Sequence, residues 1–333
     1  MSIKFSIDLT GNLPVHDYPR LARQVETYGF DEVHVVDDLM FKPAWPLLAL
    51  MGQQTERIKL GPALIAPRIV HPAYHAANLA VLDELTGGRA TCALGRGAFF
   101  EMLGLEAPAK PLTMLREAVQ LMRRLLAADR TPLNGALFSA TSELAFRFPA
   151  VRPQIPIIIG TFGPQTAKLA GEIADGLLTS CLANGDYYAT LWNSMAAGAS
   201  AAGRDPKSLQ AVVSPICALS SDGAAARAVV RPLLAEGMQW FQPMTAAAGI
   251  DDATVAAARG AALAGDMRRA AELVPERAID FFTVCGSPRD VIPRLEGLVA
   301  AGANHLAFTV LPMMDIDETI RLIAREIMPH FGR

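Results

Sequence analysis

The chain has 333 residues, of which 51% are hydrophobic and 19% are charged, and its formal net charge is −3. This size and apolar content allow a substantial core and argue against intrinsic disorder, and the slight negative charge argues against nucleic acid as a main partner. No apolar run is long enough to cross a bilayer, so no membrane partner is expected either.

Strands and helices alternate along the first half of the chain. Short apolar runs predict strands at 3–9, 33–36, 58–65 and 91–95, and helical patterns occupy 18–28, 46–55, the segment from 71–72 onward and 112–127. Gly29 marks the end of the first helix, and Pro72 suits the first turn of the third. The strand at 33–36, Val-His-Val-Val, reads as fully apolar, which predicts burial on both of its faces.

The same alternation continues after residue 150, with one interruption. Strands are predicted at 156–160, 176–180, 211–219, 280–285 and 305–310, and helices at 167–174, 187–202, 224–236, 288–301 and 317–328. The alanine-rich residues 237–275 break this rhythm, which predicts an inserted helical segment.

Eight buried strands separated by helices favour an α/β fold of the (β/α)₈ TIM-barrel type, formed by residues 1–333 as one domain. An open doubly wound sheet is the alternative that the same pattern permits. The strand at 280–285 is surplus to eight and is expected outside the barrel. In a barrel, chemistry belongs at the carboxyl ends of the strands, where this chain carries Asp8, Asp37, Asp38, Ala63–Ile65, Gly95–Gly97, Gly160, Thr161, Thr179, Ser180 and Ser214. We therefore expect a ligand to touch several of these residues together.

The turn at 160–165, Gly-Thr-Phe-Gly-Pro-Gln, lies between a predicted strand and a predicted helix. Backbone amides at such a helix start can hold a phosphate, although an ordinary tight turn is the alternative. Gly95 and Gly97 do not continue into a dinucleotide-binding fingerprint, because the third glycine is missing.

The titratable residues suggest acid–base chemistry and no metal. Asp37 and Asp38 end an apolar strand and can act as an acid–base pair or cap the next helix. His71 and His75 are four residues apart but lack a third ligand, so no metal site is expected. The four cysteines have no metal-binding spacing and the start of the chain does not resemble a signal peptide, which predicts buried thiols and a cytoplasmic location.

Five segments carry a family resemblance. They are Leu-Asp-Glu-Leu-Thr-Gly-Gly-Arg at 82–89 with Gly-Arg-Gly at 95–97, Asp-Asp at 37–38, Ile-Lys-Leu-Gly-Pro-Ala-Leu at 58–64 with His-Pro at 71–72, Gly-Pro at 163–164 with Leu-Ala-Gly-Glu-Ile-Ala-Asp-Gly at 169–176, and Phe-Thr-Val-Cys-Gly-Ser-Pro at 282–288. Together they resemble the luciferase-like flavin-dependent oxidoreductases, in the branch that uses the deazaflavin coenzyme F420 (the methylenetetrahydromethanopterin reductase-like members).

The resemblance implies a barrel that forms a homodimer and binds the coenzyme ring at its carboxyl end. It also implies a non-prolyl cis peptide between Ala63 and Leu64, and a phosphate held at 161–165. The implied cofactor contacts are Asp37, Ala63, Leu64, Ile65, Gly95, Arg96, Gly97, Thr161, Phe162, Gly163, Pro164, Thr179 and Ser180.

This chain departs from the family pattern at three positions. Asp38 stands where many deazaflavin members have histidine, and Ala98 and Leu182 stand where the sugar-phosphate dehydrogenase branch has an acid and a lysine. Apolar residues such as Trp45, Phe99, Phe100, Met102, Trp240 and Phe241 surround the expected site. A small, largely apolar substrate is therefore expected.

The prediction is an oxidoreductase that transfers a hydride between coenzyme F420 and a carbon of a C=O, C=N or C=C bond. The candidate proton partners are Asp38, then Glu101 or His71. Residues 237–275 are expected to cover the barrel mouth and influence specificity. Two alternatives stay open: an FMN-dependent monooxygenase, and a non-catalytic flavin-binding protein.

Overall fold

The computed structural model describes residues 3–38, 40–220 and 223–333. Their strands are β1 (Lys4–Leu9), β2 (Glu32–Val35), β3 (Lys59–Pro62), β4 (Cys92–Leu94), β5 (Leu133–Asn134), β6 (Ser139–Ala140), β7 (Ile157–Gly160), β8 (Gly176–Ser180), β9 (Gln210–Ser214), β10 (Ile216–Leu219), β11 (Thr283–Gly286) and β12 (His305–Val310). Their α-helices are α1 (Asp17–Thr27), α2 (Ala44–Gly52), α3 (Pro72–Leu85), α4 (Pro111–Leu126), α5 (Pro164–Ile173), α6 (Gly185–Ala201), α7 (Gly223–Gly237), α8 (Met244–Ala247), α9 (Asp252–Leu263), α10 (Met267–Leu273), α11 (Glu276–Phe282), α12 (Pro288–Ala300) and α13 (Ile316–Leu322).

Eight parallel strands form a barrel in the order β3-β2-β1-β12-β9-β8-β7-β4. Bridges from Leu60 to Ala90 and from Ile65 to Leu94 join β3 to β4 and close it. The predicted (β/α)₈ barrel is confirmed, and the open doubly wound sheet is wrong. Closure removes the exposed edge strands that an open parallel sheet would have.

Two strands of the ten-stranded sheet lie outside the barrel. The predicted strand at 211–219 is divided at Pro215 into β9, which is part of the barrel, and β10, which pairs with β11 and with the end of β12. The surplus strand is outside the barrel as predicted, but it begins only at Thr283. The prediction was wrong for 280–282, which belong to α11, because Pro275 precedes a helical turn in which the Thr283 hydroxyl donates to the Ile279 carbonyl.

The segment 237–275 is helical, as predicted, and contains α8, α9 and α10. α9 and α10 pack on each other and on α7, so the segment is anchored beside the barrel. Two elements were not foreseen: the β5–β6 hairpin, and a change from α13 to a π-helical turn at Ile323–Ile327 within the predicted helix at 317–328.

The barrel interior has an apolar side and a polar side. Apolar side chains cluster together inside the strands: Ala63, Ala93, Ile158, Leu178, Val212 and Ala307. Buried polar side chains lie mainly on the neighbouring strands β1, β2, β9 and β12: Ser6, Asp8, Glu32, His34, Ser214 and His305. Within the described residues, every helix is too short or too polar to cross a membrane.

Candidate active site

The floor of the barrel mouth is built from Leu64 and two glycines. The Ala63–Leu64 peptide is cis, which confirms the bond implied by the resemblance. The Leu64 side chain lies so close to the glycines that a Cβ on Gly160 would stand 2.3 Å from its Cδ1, and a Cβ on Gly95 would stand 2.9 Å from it. Glycine at both positions therefore lets Leu64 lie across the mouth.

The loop after β4 is held beside this floor. The Gly95 amide donates to the Ile65 carbonyl at 2.9 Å, which places Ile65 and Gly95 side by side. Gly97 has a φ of +85°, and a Cβ there would stand 2.8 Å from the Ala66 Cβ, so this position needs glycine. Arg96, between the two glycines, is exposed.

The turn after β7 ends in the first turn of α5, as an anion-binding turn requires. The Gly163 amide donates to the Thr161 hydroxyl at 3.0 Å, and the Phe162 carbonyl accepts from the Tyr187 hydroxyl at 2.6 Å. Pro164 is the first helical residue. The amides that follow it lie in the first helical turn, where no intrahelical acceptor exists. The geometry suits a phosphate or carboxylate.

At the end of β8, Ser180 lies level with Ser214 of β9 in the strand register. Thr179 pairs with Val213, which faces the helices, and its side chain is fully buried. Its hydroxyl has no hydrogen-bond partner among the described residues. The structure therefore directs the Thr179 side chain away from the mouth.

Asp37 and Asp38 follow β2 and differ in their surroundings. The Asp37 carboxylate accepts from the Ala44 amide at 3.1 Å, at the start of α2, so the predicted helix-capping role is present. Burial raises the pKa of Asp37, helped by the charge of Asp38. Asp38 is exposed, and burial together with the charges of Asp38 and Asp8 raises the pKa of Cys181 to about 12. Cys181 is therefore a protonated thiol.

Glu101 and His71, the other predicted proton partners, are also exposed. Glu101 lies in a short 3₁₀ helix, Phe100–Leu103. The His71 Nδ1 accepts from the Ala73 amide at 3.2 Å, and its ring lies edge-on to Phe138. His71 thus caps α3, and its other ring nitrogen is the one available for proton transfer.

Aromatic contacts connect the inserted segment to the loops at the mouth. Trp240 contacts Phe99 edge-on, with ring centroids 4.5 Å apart, and Phe241 contacts Phe162 at 6.2 Å. The segment therefore packs on the loops after β4 and β7. Leu182 and Phe100, expected among the apolar surroundings, are buried in the core.

The sequence predicted only part of a charged network that lies inside the barrel. Asp8 and Ser214 were expected at the mouth, but His34 was read as part of an apolar strand. The His34 Nδ1 is 2.8 Å from an Asp8 carboxylate oxygen, and its Nε2 is 3.2 Å from Glu32. The Ser214 hydroxyl donates to the second Asp8 oxygen at 2.5 Å. The available signal was the two-residue spacing of Glu32 and His34, which puts both on one face of the strand.

The ionisation of this network follows from its hydrogen bonds. Burial disfavours the charged imidazole, but the bonds to Asp8 and Glu32 outweigh burial and raise the pKa of His34 to about 10. Burial likewise opposes ionisation of the carboxylates, yet His34 holds the pKa of Asp8 below its usual value and that of Glu32 at about 2. Burial lowers the pKa of the neighbouring His305 to about 4. The resting network is a cation between two carboxylates.

The described residues contain no group of three or more His, Cys, Asp or Glu side chains placed to hold a metal ion. His75 is buried against the Ala66 carbonyl, and burial lowers its pKa to about 4. His71, by contrast, is exposed at the start of α3. The two histidines thus have separate structural surroundings.

Comparison with known proteins places this architecture in a family. The sequence profile of the luciferase-like monooxygenases matches residues 2–305. The chain is 29% identical to 5,10-methylenetetrahydromethanopterin reductase of Methanolobus tindarius over 97% of this chain and 99% of that protein. It is 28% identical to an F420-dependent glucose-6-phosphate dehydrogenase of Microbacterium testaceum over 92% of this chain and 91% of that protein.

Among solved structures, the coenzyme F420-dependent tetrahydromethanopterin reductase of Methanopyrus kandleri is similar with a TM-score of 0.90. Its sequence identity is 26%, and the match covers 99% of this chain and 100% of the other. The profile match spans most of the chain, including every barrel strand except most of β12. The chain belongs to the family of luciferase-like monooxygenases.

Proposed function

We propose that this chain is a coenzyme F420-dependent oxidoreductase that transfers a hydride between the deazaflavin and a small, largely apolar organic substrate. The observation that carries the proposal is the floor made by Leu64 over Gly95 and Gly160, a surface on which a flat ring can rest. The relatives named for F420 support the choice of coenzyme over FMN.

The residues at the mouth fit such a group. Leu64 supports the ring from beneath, and the backbone at Ala63, Ile65 and Gly95–Gly97 lines one side. The turn from Thr161 to Pro164 holds a phosphate at the start of α5. When bound, F420 supplies the hydride carbon, C5 of the deazaflavin.

Asp38 is the first candidate for the proton partner, and Glu101 and His71 follow. All three are exposed, so a bound substrate has to desolvate the one that acts. Asp38 extends from the end of β2, a position at the carboxyl end of the barrel where catalytic groups occur.

The substrate is proposed to be apolar because aromatic side chains form the rim. Phe99, Phe162, Trp240 and Phe241 contact one another in pairs across the loops and the inserted segment. Sugar phosphate is not the proposed substrate, since Leu182 is buried and Ala98 carries no charge.

A homodimer and a cytoplasmic location complete the proposal. α3 exposes Tyr74, Val81 and Leu85, which share one helix face by their spacing, and Leu50 of α2 is exposed too. An apolar patch of this kind suits a subunit interface. The four free cysteines suit a reducing compartment.

Titration of the apoprotein with F420 and, separately, with FMN tests the proposal. We expect F420 to bind at least about tenfold more tightly, and reduced F420 to be oxidised in the presence of enones, imines or ketones. Tighter FMN binding with substrate-dependent oxygen uptake would instead indicate a monooxygenase. Binding of F420 without turnover across this substrate panel would indicate a non-catalytic protein.

A further inference from the structure

A chain of hydrogen-bonded side chains runs along the barrel interior from one end to the other. Glu32 contacts the His34 Nε2 at 3.2 Å, and the His34 Nδ1 contacts Asp8 at 2.8 Å. Asp8 accepts from the Ser214 hydroxyl at 2.5 Å, and Ser214 is 2.9 Å from the Thr309 hydroxyl. Every step is within hydrogen-bond distance.

The chain begins at the amino-terminal end of the barrel. A cavity of about 340 Å³ there is lined by the charged residues Lys4, Glu26, Asp31, Glu32, Arg57 and Lys59. The Glu32 Oε1 is buried and has no hydrogen-bond partner among the described residues, since the Lys4 Nζ is 3.9 Å away. An unpaired carboxylate oxygen beside a polar cavity of this size can accept a hydrogen bond from water.

The chain ends at the carboxyl end of the barrel. Ser214 is level with Ser180, and the backbone amide of Cys181 donates to the Ser214 carbonyl at 2.7 Å. Asp8 is only 2% exposed, so direct contact with bulk water at the mouth is minimal. A coenzyme lying across the mouth would reduce that contact further.

We propose that Glu32, His34 and Asp8 form a proton relay that carries protons from the cavity at the amino-terminal end of the barrel to the reaction at its mouth. The proposal rests on the proposed function, because substrate reduction by a hydride also consumes a proton. Water that enters the cavity is the source. The fully buried Ser214 hydroxyl and the half-buried Thr309 hydroxyl are the last carriers. Glu32 and His34 act through Asp8 and are positioning residues.

The proton balance is simple. His34 rests as an imidazolium and passes its Nδ1 proton to the Asp8 oxygen that it contacts, and the neutral Asp8 carboxyl then turns to present that proton to Ser214. The Ser214 hydroxyl turns away from Asp8, accepts the proton, and passes its own proton to the Thr309 hydroxyl as Thr309 releases a proton toward the substrate, which leaves Asp8 ionised again. The neutral His34 ring then turns about Cβ–Cγ, which moves the bare Nδ1 to the former Cδ2 side of the ring, toward Glu32. Glu32 takes up a proton from cavity water and passes it to Nδ1, and the ring turns back to Asp8. Each cycle moves one proton, and the reverse order serves substrate oxidation.

Other titratable groups face the relay but lie outside it. Lys4 of β1 and Lys59 of β3 line the cavity, and His305 of β12 lies 6.4 Å from His34 between ring centroids. The His305 Nε2 contacts the Ser6 hydroxyl at 3.0 Å. His305 is therefore a matched control: a buried histidine in the same interior that makes no bond to Asp8 or Glu32 among the described residues.

The first test uses the coenzyme-free protein with ¹⁵N-labelled histidine. NMR is expected to show His34 protonated on both ring nitrogens at pH 8, and Glu32→Gln is expected to slow exchange of its ring protons with water at least tenfold. His305→Gln is expected to leave that exchange within about twofold. Equal exchange in wild type and in a folded Glu32→Gln variant would overturn the relay.

The second measurement needs no variant at the relay. In the wild-type protein, saturation with F420, or with FMN if that is the ligand bound, should leave His34 ring-proton exchange unchanged, because the cavity is at the opposite end. Exchange that slows tenfold or more on saturation would show that protons enter through the mouth, and would overturn the proposal even if Glu32→Gln does not fold.

Turnover separates this inference from the proposed function. Glu32→Gln should lower kcat at least about tenfold and increase the solvent isotope effect, with F420 affinity unchanged. Failure of the wild type to bind F420 would refute the proposed coenzyme but not the exchange result. Unchanged kcat and isotope effect in a variant that binds F420 normally would refute the relay alone.

Discussion

The two sides of the barrel interior show different ways of filling the same space. On one side Ala93, Ile158 and Leu178 pack beneath Leu64 and exclude water. On the other, Asp8, Glu32 and His34 place three ionised groups in an equally buried position. The apolar side obtains stability from burial, whereas the charged side has to recover a desolvation cost through its hydrogen bonds. The comparison teaches that apolar packing predominates on β4, β7 and β8 and charge on β1 and β2, whereas β9 and β12 contribute to both.

Removing the buried His34 imidazolium should have the largest effect on the stability of the protein. His34→Leu leaves Asp8 and Glu32 buried without a counter-charge, and we expect a loss of about 3–5 kcal/mol of unfolding free energy at pH 7. Urea denaturation measures it, with His305→Leu as the control for loss of a buried histidine. A loss below about 1 kcal/mol would contradict the assigned charge state.

The charged side should also make stability depend on pH. The pKa of Glu32 falls from 4.5 to about 2 on folding, so its contribution is lost as the pH drops through that interval. The pKa of His34 rises from 6.5 to about 10, so its contribution is complete below pH 6.5 and is lost as the pH rises toward 10. Burial also lowers the pKa of His305 and His75 from 6.5 to about 4, so their contribution is lost as the pH falls below 6.5. We therefore expect maximum stability near pH 6.5 in urea titrations. In His34→Leu the alkaline decline should shrink, and its persistence would assign that decline to other groups.

The apolar side should respond to a cavity and not to pH. Leu178→Ala removes a side chain that is 1% exposed, and should cost about 2–4 kcal/mol. The same cost is expected at pH 5 and pH 8, because no ionisable group takes part. A clearly pH-dependent cost would show that the two sides are energetically coupled.

The smallest effect on folding, but a clear effect on ligand binding, is expected at the floor of the mouth. Gly160→Ala forces the Leu64 side chain to move, which should cost about 1–3 kcal/mol and weaken coenzyme binding. Gly260→Ala, in α9, has open space for its methyl group and should be neutral or stabilising by up to about 1 kcal/mol. Calorimetric titration compares the two, and unchanged affinity in Gly160→Ala would remove Leu64 from the proposed binding surface.

Much of the fold was predictable because its signals are local. Apolar runs bounded by glycine and proline marked the barrel strands, and the glycine-rich strand ends marked the floor at Gly95 and Gly160. The start of β11 was misplaced because Asp-Phe-Phe-Thr-Val-Cys is compatible with a strand, whereas packing makes its first residues the end of a helix.

The charged network was harder to predict because its partners are far apart in the chain. Asp8 is 26 residues from His34 and 206 from Ser214, and only barrel closure brings the three together. His34 stands among valines, so hydropathy alone assigned it to an apolar surface. The roles of Asp38, Glu101 and His71 stay predictions, because each depends on a bound substrate.

The division between β9 and β10 has an evolutionary consequence. After Pro215 the chain leaves the barrel, and β10 pairs with β11 beside it. The stretch of chain between the end of β10 and the start of β11 contains the 237–275 segment. Except where β10 pairs with the end of β12, the hydrogen bonds between barrel strands are separate from those that join β10 to β11. Changes in the length of 237–275 during evolution should therefore leave the order of the barrel strands unaffected.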